Sequence, residues 1–143
     1  MDILHELVDY GILGVLFFMS FLVLSYSVER VLFYKKITLK DYKTKNEIEI
    51  ALTNNLSAIS LIGSNAPYVG LLGTVISIMI VFYEMGATAS METATIVIGL
   101  SLALKATAVG LLVAIPSMVL YGIFLRKTDR LFARWEDEID QEK

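Results

Sequence analysis

Three residues carry functional groups in otherwise apolar surroundings: Thr74, Lys105 and Thr107. Lys105 is the lone charge in the run Thr93–Leu125. An ionisable side chain at the centre of a bilayer costs about 2.5–3.5 kcal/mol on insertion scales, and such residues mark ion paths or partner contacts. Thr74 is ten residues from Glu84, Lys105 twelve from Thr93 and Thr107 fourteen. At ~1.5 Å per helical residue they lie roughly 15, 18 and 21 Å from the helix ends, one layer near mid-membrane. A membrane threonine commonly donates to its own i−4 carbonyl and does nothing more. Two at one depth, each beside small residues, weaken that reading. Lys105 lies two residues from Thr107, about 200° around the helix, so the two look into different spaces. No acid of this chain lies at that level to neutralise a lysine. Its counter-charge is expected on a partner or in water.

The elements that must hold this layer are membrane helices. The 143-residue chain is 56% hydrophobic, with a mean hydropathy of +0.66. Tyr10–Val28 and Pro67–Tyr83 carry no charge, and Thr93–Leu125 carries only Lys105. About 20 apolar residues cross a ~30 Å hydrocarbon layer. The fold class is therefore all-α: an integral membrane protein, one domain, with three transmembrane helices in an oligomeric bundle. The spans are 10–34, 66–84 and 93–125, with a cytoplasmic connection 35–65 and a helical tail 126–143. The N-terminal segment lacks the basic region of a secretory signal, so Gly11–Phe33 is read as a retained helix. Lysines 35, 36, 40, 43 and 45 and the tail's Arg126, Lys127, Arg130, Arg134 and Lys143 stand on one side, and 1–10 and 84–92 have no Lys or Arg. The positive-inside rule then puts the N-terminus outside and the C-terminus inside.

Glu29 and Arg30, near the inner boundary, are expected to meet headgroups or pair locally. Ile48, Leu52, Leu56 and Ile59 recur at helical spacing, an amphipathic helix that either lies on the membrane or packs against the basic tail. Ser64-Asn65-Ala66-Pro67 resembles a helix start, with Ser or Asn as cap and Pro in the first turn. The second membrane helix then has a small face of Ala66, Gly70, Gly73/Thr74 and Ser77. The third has Gly99, Ala103, Ala106, Gly110 and Ala114. Lipid gives helices no hydrophobic reason to associate, and small residues permit close backbone approach. These faces, through Gly70, Gly73, Ser77, Gly99, Ala103, Ala106, Gly110 and Ala114, are expected to join copies of the chain into a homo-oligomer. Pro116 either kinks the third helix or has its freed carbonyl satisfied by neighbours. Past the membrane, Leu125, Thr128, Phe132, Trp135 and Ile139 keep one apolar face, so Thr93–Ile139 could be one helix of about 70 Å. Trp135 lies too far past the membrane edge for an interfacial anchor and is read as packed.

Nothing points to an enzyme, a cofactor or a metal site. The phosphate-binding, zinc-protease and nucleophile-elbow patterns are absent, the chain has no cysteine, and the sole histidine, His5, is read as a solvated residue. The basic segments face anionic lipid and require no nucleic acid.

Two segments carry a resemblance. Ala66–Met79 follows A-P-x-V-G-L-x-G-T-V-x-x-I-M, and Gly99–Pro116 follows G-x-x-x-A-L-x-A-T-A-x-G-L-x-x-A-I-P. In these the chain resembles the ExbB/TolQ/MotA proton-channel family, nearest its ExbB and TolQ branches. The resemblance implies a subunit of an ion-driven motor in the bacterial inner membrane, a homopentamer around the helices of an ExbD- or TolR-like partner. Proton flow through an aspartate of that partner would drive motion delivered through a TonB- or TolA-like protein. The family's pore threonines map onto Thr74 and Thr107. The chain departs from the pattern at Leu102, where relatives often carry glutamate, and at Lys105, where they carry an apolar residue. These are i and i+3, so a charge is kept on that face with its sign reversed. The inner connection is also much shorter than in typical ExbB proteins. A passive scaffold for a partner is the alternative from another class, and neither Lys105 nor the threonine layer is needed for one.

Overall fold

The computed structural model describes residues 2–89 and 91–142. Its elements are α1 (Asp2–Lys36), a single 3-10 turn (Leu39–Asp41), α2 (Lys45–Thr53), α3 (Leu56–Thr88) and α4 (Thr93–Glu142). Helices α1, α3 and α4 are each long and apolar enough to cross a membrane. At ~1.5 Å per residue α4 is about 75 Å long and projects well past a ~30 Å hydrocarbon layer.

α3 and α4 form an antiparallel hairpin, and small residues set how closely its arms approach. A Cβ placed on Gly70 would lie 2.5 Å from the Ala106 carbonyl oxygen, and one on Gly110 would lie 2.8 Å from that of Ala66. Backbone therefore meets backbone at this crossing, as membrane helices require in place of hydrophobic drive. One turn outward, Gly73 faces Ala106 and the Ile12 side chain of α1, and at the outer end Gly99 receives Val81. Ala66 and Ala114 pack with Leu16 of α1. The small faces that the sequence assigned to contacts between copies are thus consumed inside one chain. Helices joined by a short connection pack on each other first, and a small-residue face does not specify which helix covers it.

Two boundaries differ from the sequence reading. α1 begins at Asp2, eight residues before the expected span. α3 begins at Leu56 with Asn55 at its N-cap, and Pro67 lies in its interior. Ser64 and Asn65 do not cap: the Ser64 hydroxyl donates to the Ser60 carbonyl and the Asn65 amide to that of Leu61. Short polar side chains serve a helix's own backbone as readily as they start one. Leu56 and Ile59 are buried against the rest of the chain, and that packing carries the helix across the eleven residues ahead of the proline.

The amphipathic stripe of the connection is split by a turn. Ile48 and Leu52 lie on α2, Leu56 and Ile59 on α3, and Asn55 between them takes a left-handed conformation (φ 68°). All four side chains are buried with Tyr34, Phe124, Leu131 and Trp135 in one core at the inner end. The connection therefore packs against the tail. The tail's buried stripe is Phe124, Thr128, Leu131 and Trp135, while Leu125 stays exposed. The Trp135 indole N–H donates to the Tyr42 carbonyl at 2.9 Å, so the tryptophan is a packing residue with a satisfied polar edge.

Arg30 holds this core to α1. It is 1% exposed, it is paired with the neighbouring Glu29, and it donates to the Ala51 carbonyl at 2.9 Å. The Leu52 carbonyl receives the Tyr34 hydroxyl at 2.7 Å, and Asn55 donates to Glu29 at 3.0 Å. These groups satisfy carbonyls that the end of α2 leaves without helical partners. Local pairing of Glu29 with Arg30 was one of two sequence alternatives, but the burial and the grip on α2 were not foreseen.

Candidate functional site

The close crossing of α3 and α4 sets Thr74 against Thr107. Thr74 is 6% exposed, one turn outward of the Gly70–Gly110 contact, where the backbones are near enough for short side chains to bridge them. Its hydroxyl lies 2.5 Å from that of Thr107 and 2.9 Å from the Ala103 carbonyl oxygen. Its own i−4 carbonyl, on Gly70, is more distant at 3.3 Å. The bond confined to its own helix is therefore the weakest of its contacts. Among the described residues Thr107 makes no side-chain hydrogen bond to its own i−4 carbonyl, that of Ala103, which receives Thr74 from across the hairpin.

One proton arrangement satisfies both hydroxyls: Thr107 donates to Thr74, and Thr74 donates to the Ala103 carbonyl. It leaves the lone pairs of Thr107, which is half-buried, free to accept from outside the hairpin. The reverse arrangement aims a donor the other way. The pair can thus accept or donate a hydrogen bond at its open side.

Lys105 stands elsewhere. It is exposed on the side of α4 that faces away from the hairpin, with Ser101 and Leu102 also exposed. Among the described residues it forms no ion pair. The three sequence candidates share a depth, but the structure joins only the two threonines. The packing residues Gly70, Gly73, Ala103, Ala106 and Gly110 surround that pair and set its geometry, a role the sequence reading did not give them.

A second group of polar residues escaped the sequence reading. His5, Glu6 and Asp9 occupy one face of α1 and line a cleft of about 420 Å³ with Ser77 and Glu84 of α3. His5 was read as solvated, and the acids were assigned to an exterior segment. The i, i+1, i+4 spacing places them on one face only if the helix extends through them, and the sequence reading begins the first span at residue 10.

The sequence profile described as the MotA/TolQ/ExbB proton channel family matches residues 25–137. The biopolymer transport protein ExbB of Helicobacter pylori (strain J99) is 51% identical over 131 residues, covering 92% of this chain and 90% of that protein. The biopolymer transport protein ExbB of Aquifex aeolicus is 47% identical over 136 residues, covering 95% and 92%. The Tol-Pal system protein TolQ of Pseudomonas aeruginosa is 37% identical over 93 residues, covering 65% and 40%.

Proposed function

This chain belongs to the MotA/TolQ/ExbB proton channel family, and from that membership we propose that it is the multi-pass subunit of an ExbB-type motor in the bacterial inner membrane. In this reading several copies, five by the family resemblance, surround the membrane helix of an ExbD-like partner. Proton flow past that helix energises a TonB-like protein and, through it, outer-membrane transport. The N-terminus is periplasmic and the C-terminus cytoplasmic, as the basic residues of the inner connection and tail require. The observation that carries the proposal is the Thr74–Thr107 hydroxyl pair, buried at mid-depth with Thr107 open on one side. Neither hydroxyl is needed to pack a hairpin built on glycine and alanine. A partner carboxyl approaching Thr107 would find an acceptor when protonated and a donor when ionised.

Lys105 has a separate part. As an exposed cation at mid-membrane it requires a carboxylate or water beside it, and an acid of the partner or a neighbouring subunit meets that need. The resemblance to ExbB proteins at about half identity along nine-tenths of the chain favours the TonB branch over the Tol branch.

The test is proton uptake by proteoliposomes that hold the chain with its single-helix partner. Thr107→Val keeps the side-chain shape and removes the hydroxyl. It should abolish proton-driven flux while leaving membrane insertion and co-purification intact. Wild-type flux through Thr107→Val would return both threonines to structural residues and withdraw the proposal.

A further inference from the structure

The proposed ion path needs a route for protons from the outer side to the threonine pair, and the cleft between α1, α3 and α4 has the required position and chemistry. Its lining runs inward to Ala103, the residue whose carbonyl receives the Thr74 hydroxyl. The depth of its acids follows from packing. Ile12 of α1 lies against Gly73 of α3, beside Thr74. The two helices are antiparallel, so Asp9 stands about 4.5 Å outward of that level and Ser77 about 6 Å outward, by their rise per residue. Asp9 and Ser77 thus lie at nearly one depth, a single turn outward of the threonines, and both line the cleft.

Water is the ligand these walls call for. Ser77 is 2% exposed, and its hydroxyl has no hydrogen-bond partner among the described residues. One carboxylate oxygen of Glu84 is likewise buried without a partner. Such groups cost free energy unless something fills their bonding capacity, and buried water does this where a polar cavity has room for it. At ~30 Å³ per molecule the cleft holds on the order of ten waters. Glu6, Asp9 and Glu84 give it a negative wall with no ion pair among the described residues, so it draws cations and repels anions.

We infer that this cleft is a water-filled inlet, internal to each subunit, through which protons reach the Thr74–Thr107 pair, with Asp9 as the relaying carboxylate. Asp9 takes a proton from a hydronium ion in the outer water, breaking one O–H bond there and forming one on its carboxyl, and yields it to a water held by Ser77, which becomes the next hydronium. The carboxylate is thereby restored and no other reactant is consumed. The inference rests on the ion-conducting reading above and adds the access route to it.

The absence of cysteine makes a single introduced thiol unique. Ser77→Cys is nearly isosteric, and a positively charged, membrane-impermeant methanethiosulfonate added from the outer side should modify it. It should leave Val75→Cys, whose side chain faces away from the bundle, unmodified. In proteoliposomes with the single-helix partner, Asp9→Asn should lower proton flux on the order of 100-fold, the low end for removing a positioned proton-transfer group. Asp9→Glu should retain flux. An unreactive Ser77→Cys overturns the inference, as does unaltered flux in Asp9→Asn beside a conducting wild type. A wild-type complex that conducts no protons overturns the ion-conducting reading, and this inference with it. The two failures are therefore distinguishable.

Discussion

Thr107 and Lys105 are two residues apart and do different work because a helix turns them to opposite sides. Thr107 is bonded across the hairpin to Thr74, whereas Lys105 is exposed on the far side of α4. A charge at mid-membrane is costly, and an acid of a partner or water beside Lys105 would offset that cost. Lys105→Met removes the charge and keeps the length. If a partner acid is the cover, the substitution leaves that acid unpaired, which costs about 3–5 kcal/mol for a buried pair. Co-purification of the single-helix partner should then fall sharply while the chain's own thermal stability holds. Wild-type recovery of the partner, with transport intact, would show that Lys105 is only packed. Thr107→Val should give the opposite pattern, with the partner retained and the flux lost.

At the scale of the elements, the α3–α4 hairpin owes its threonine pair to glycine. A Cβ on Gly110 would stand 2.8 Å from the Ala66 carbonyl oxygen and 3.1 Å from the Gly70 Cα, and backbone atoms cannot step aside as a flexible side chain can. Gly110→Ala should force the helices apart and destabilise the folded chain by about 1–3 kcal/mol, the usual cost of overpacking. The widened crossing should also separate Thr74 from Thr107. Gly14 on α1 has nothing within 4 Å of its would-be Cβ, so Gly14→Ala should be neutral or slightly stabilising, since alanine is the better helix former. Thermal unfolding in mild detergent distinguishes the two. Equal melting behaviour for both variants would contradict the packing argument. The inner end of the bundle is held by other means. Arg30, Tyr34 and Asn55 tie α2 and the start of α3 to α1 through hydrogen bonds to carbonyls and to Glu29, and the apolar core of α2, α3 and α4 closes over them.

The molecule as a whole leaves much apolar surface uncovered. Phe17, Phe18, Phe21 and Leu24 of α1, Leu71, Leu72, Val75 and Phe82 of α3, and Leu102, Leu104, Leu112 and Ile115 of α4 are all exposed. With the small faces used within the chain, these bulkier surfaces are what it offers to lipid and to any further copies. The homo-oligomer remains an expectation of the family resemblance. Native mass spectrometry from mild detergent should show a complex of five copies, and a stable monomer would overturn that. Gly110→Ala should therefore lower the stability of the single chain first, with any loss of the oligomer following from that.

The sequence by itself determined the membrane class, the three helices long and apolar enough to span, and that Thr74 and Thr107 stand at one level of their helices. Each depends on a one-dimensional quantity, a run of apolar residues or a count along a helix of fixed rise, and needs no knowledge of neighbours. It also identified which faces were small enough for close approach. What covers those faces was decided only in three dimensions. Gly70 and Gly110 state how near a backbone can come, and the tertiary structure states that they meet each other across the hairpin rather than a second copy. Pro67 shows the same limit. Its local chemistry suits a helix start, but burial of Leu56 and Ile59 against the inner core extends α3 eleven residues ahead of it. Asp9 and Ser77 show it most plainly. Each is an unremarkable polar residue on its own helix, and they line one cleft because Ile12 packs on Gly73. That contact joins residues 61 positions apart, and no local pattern in either segment encodes it.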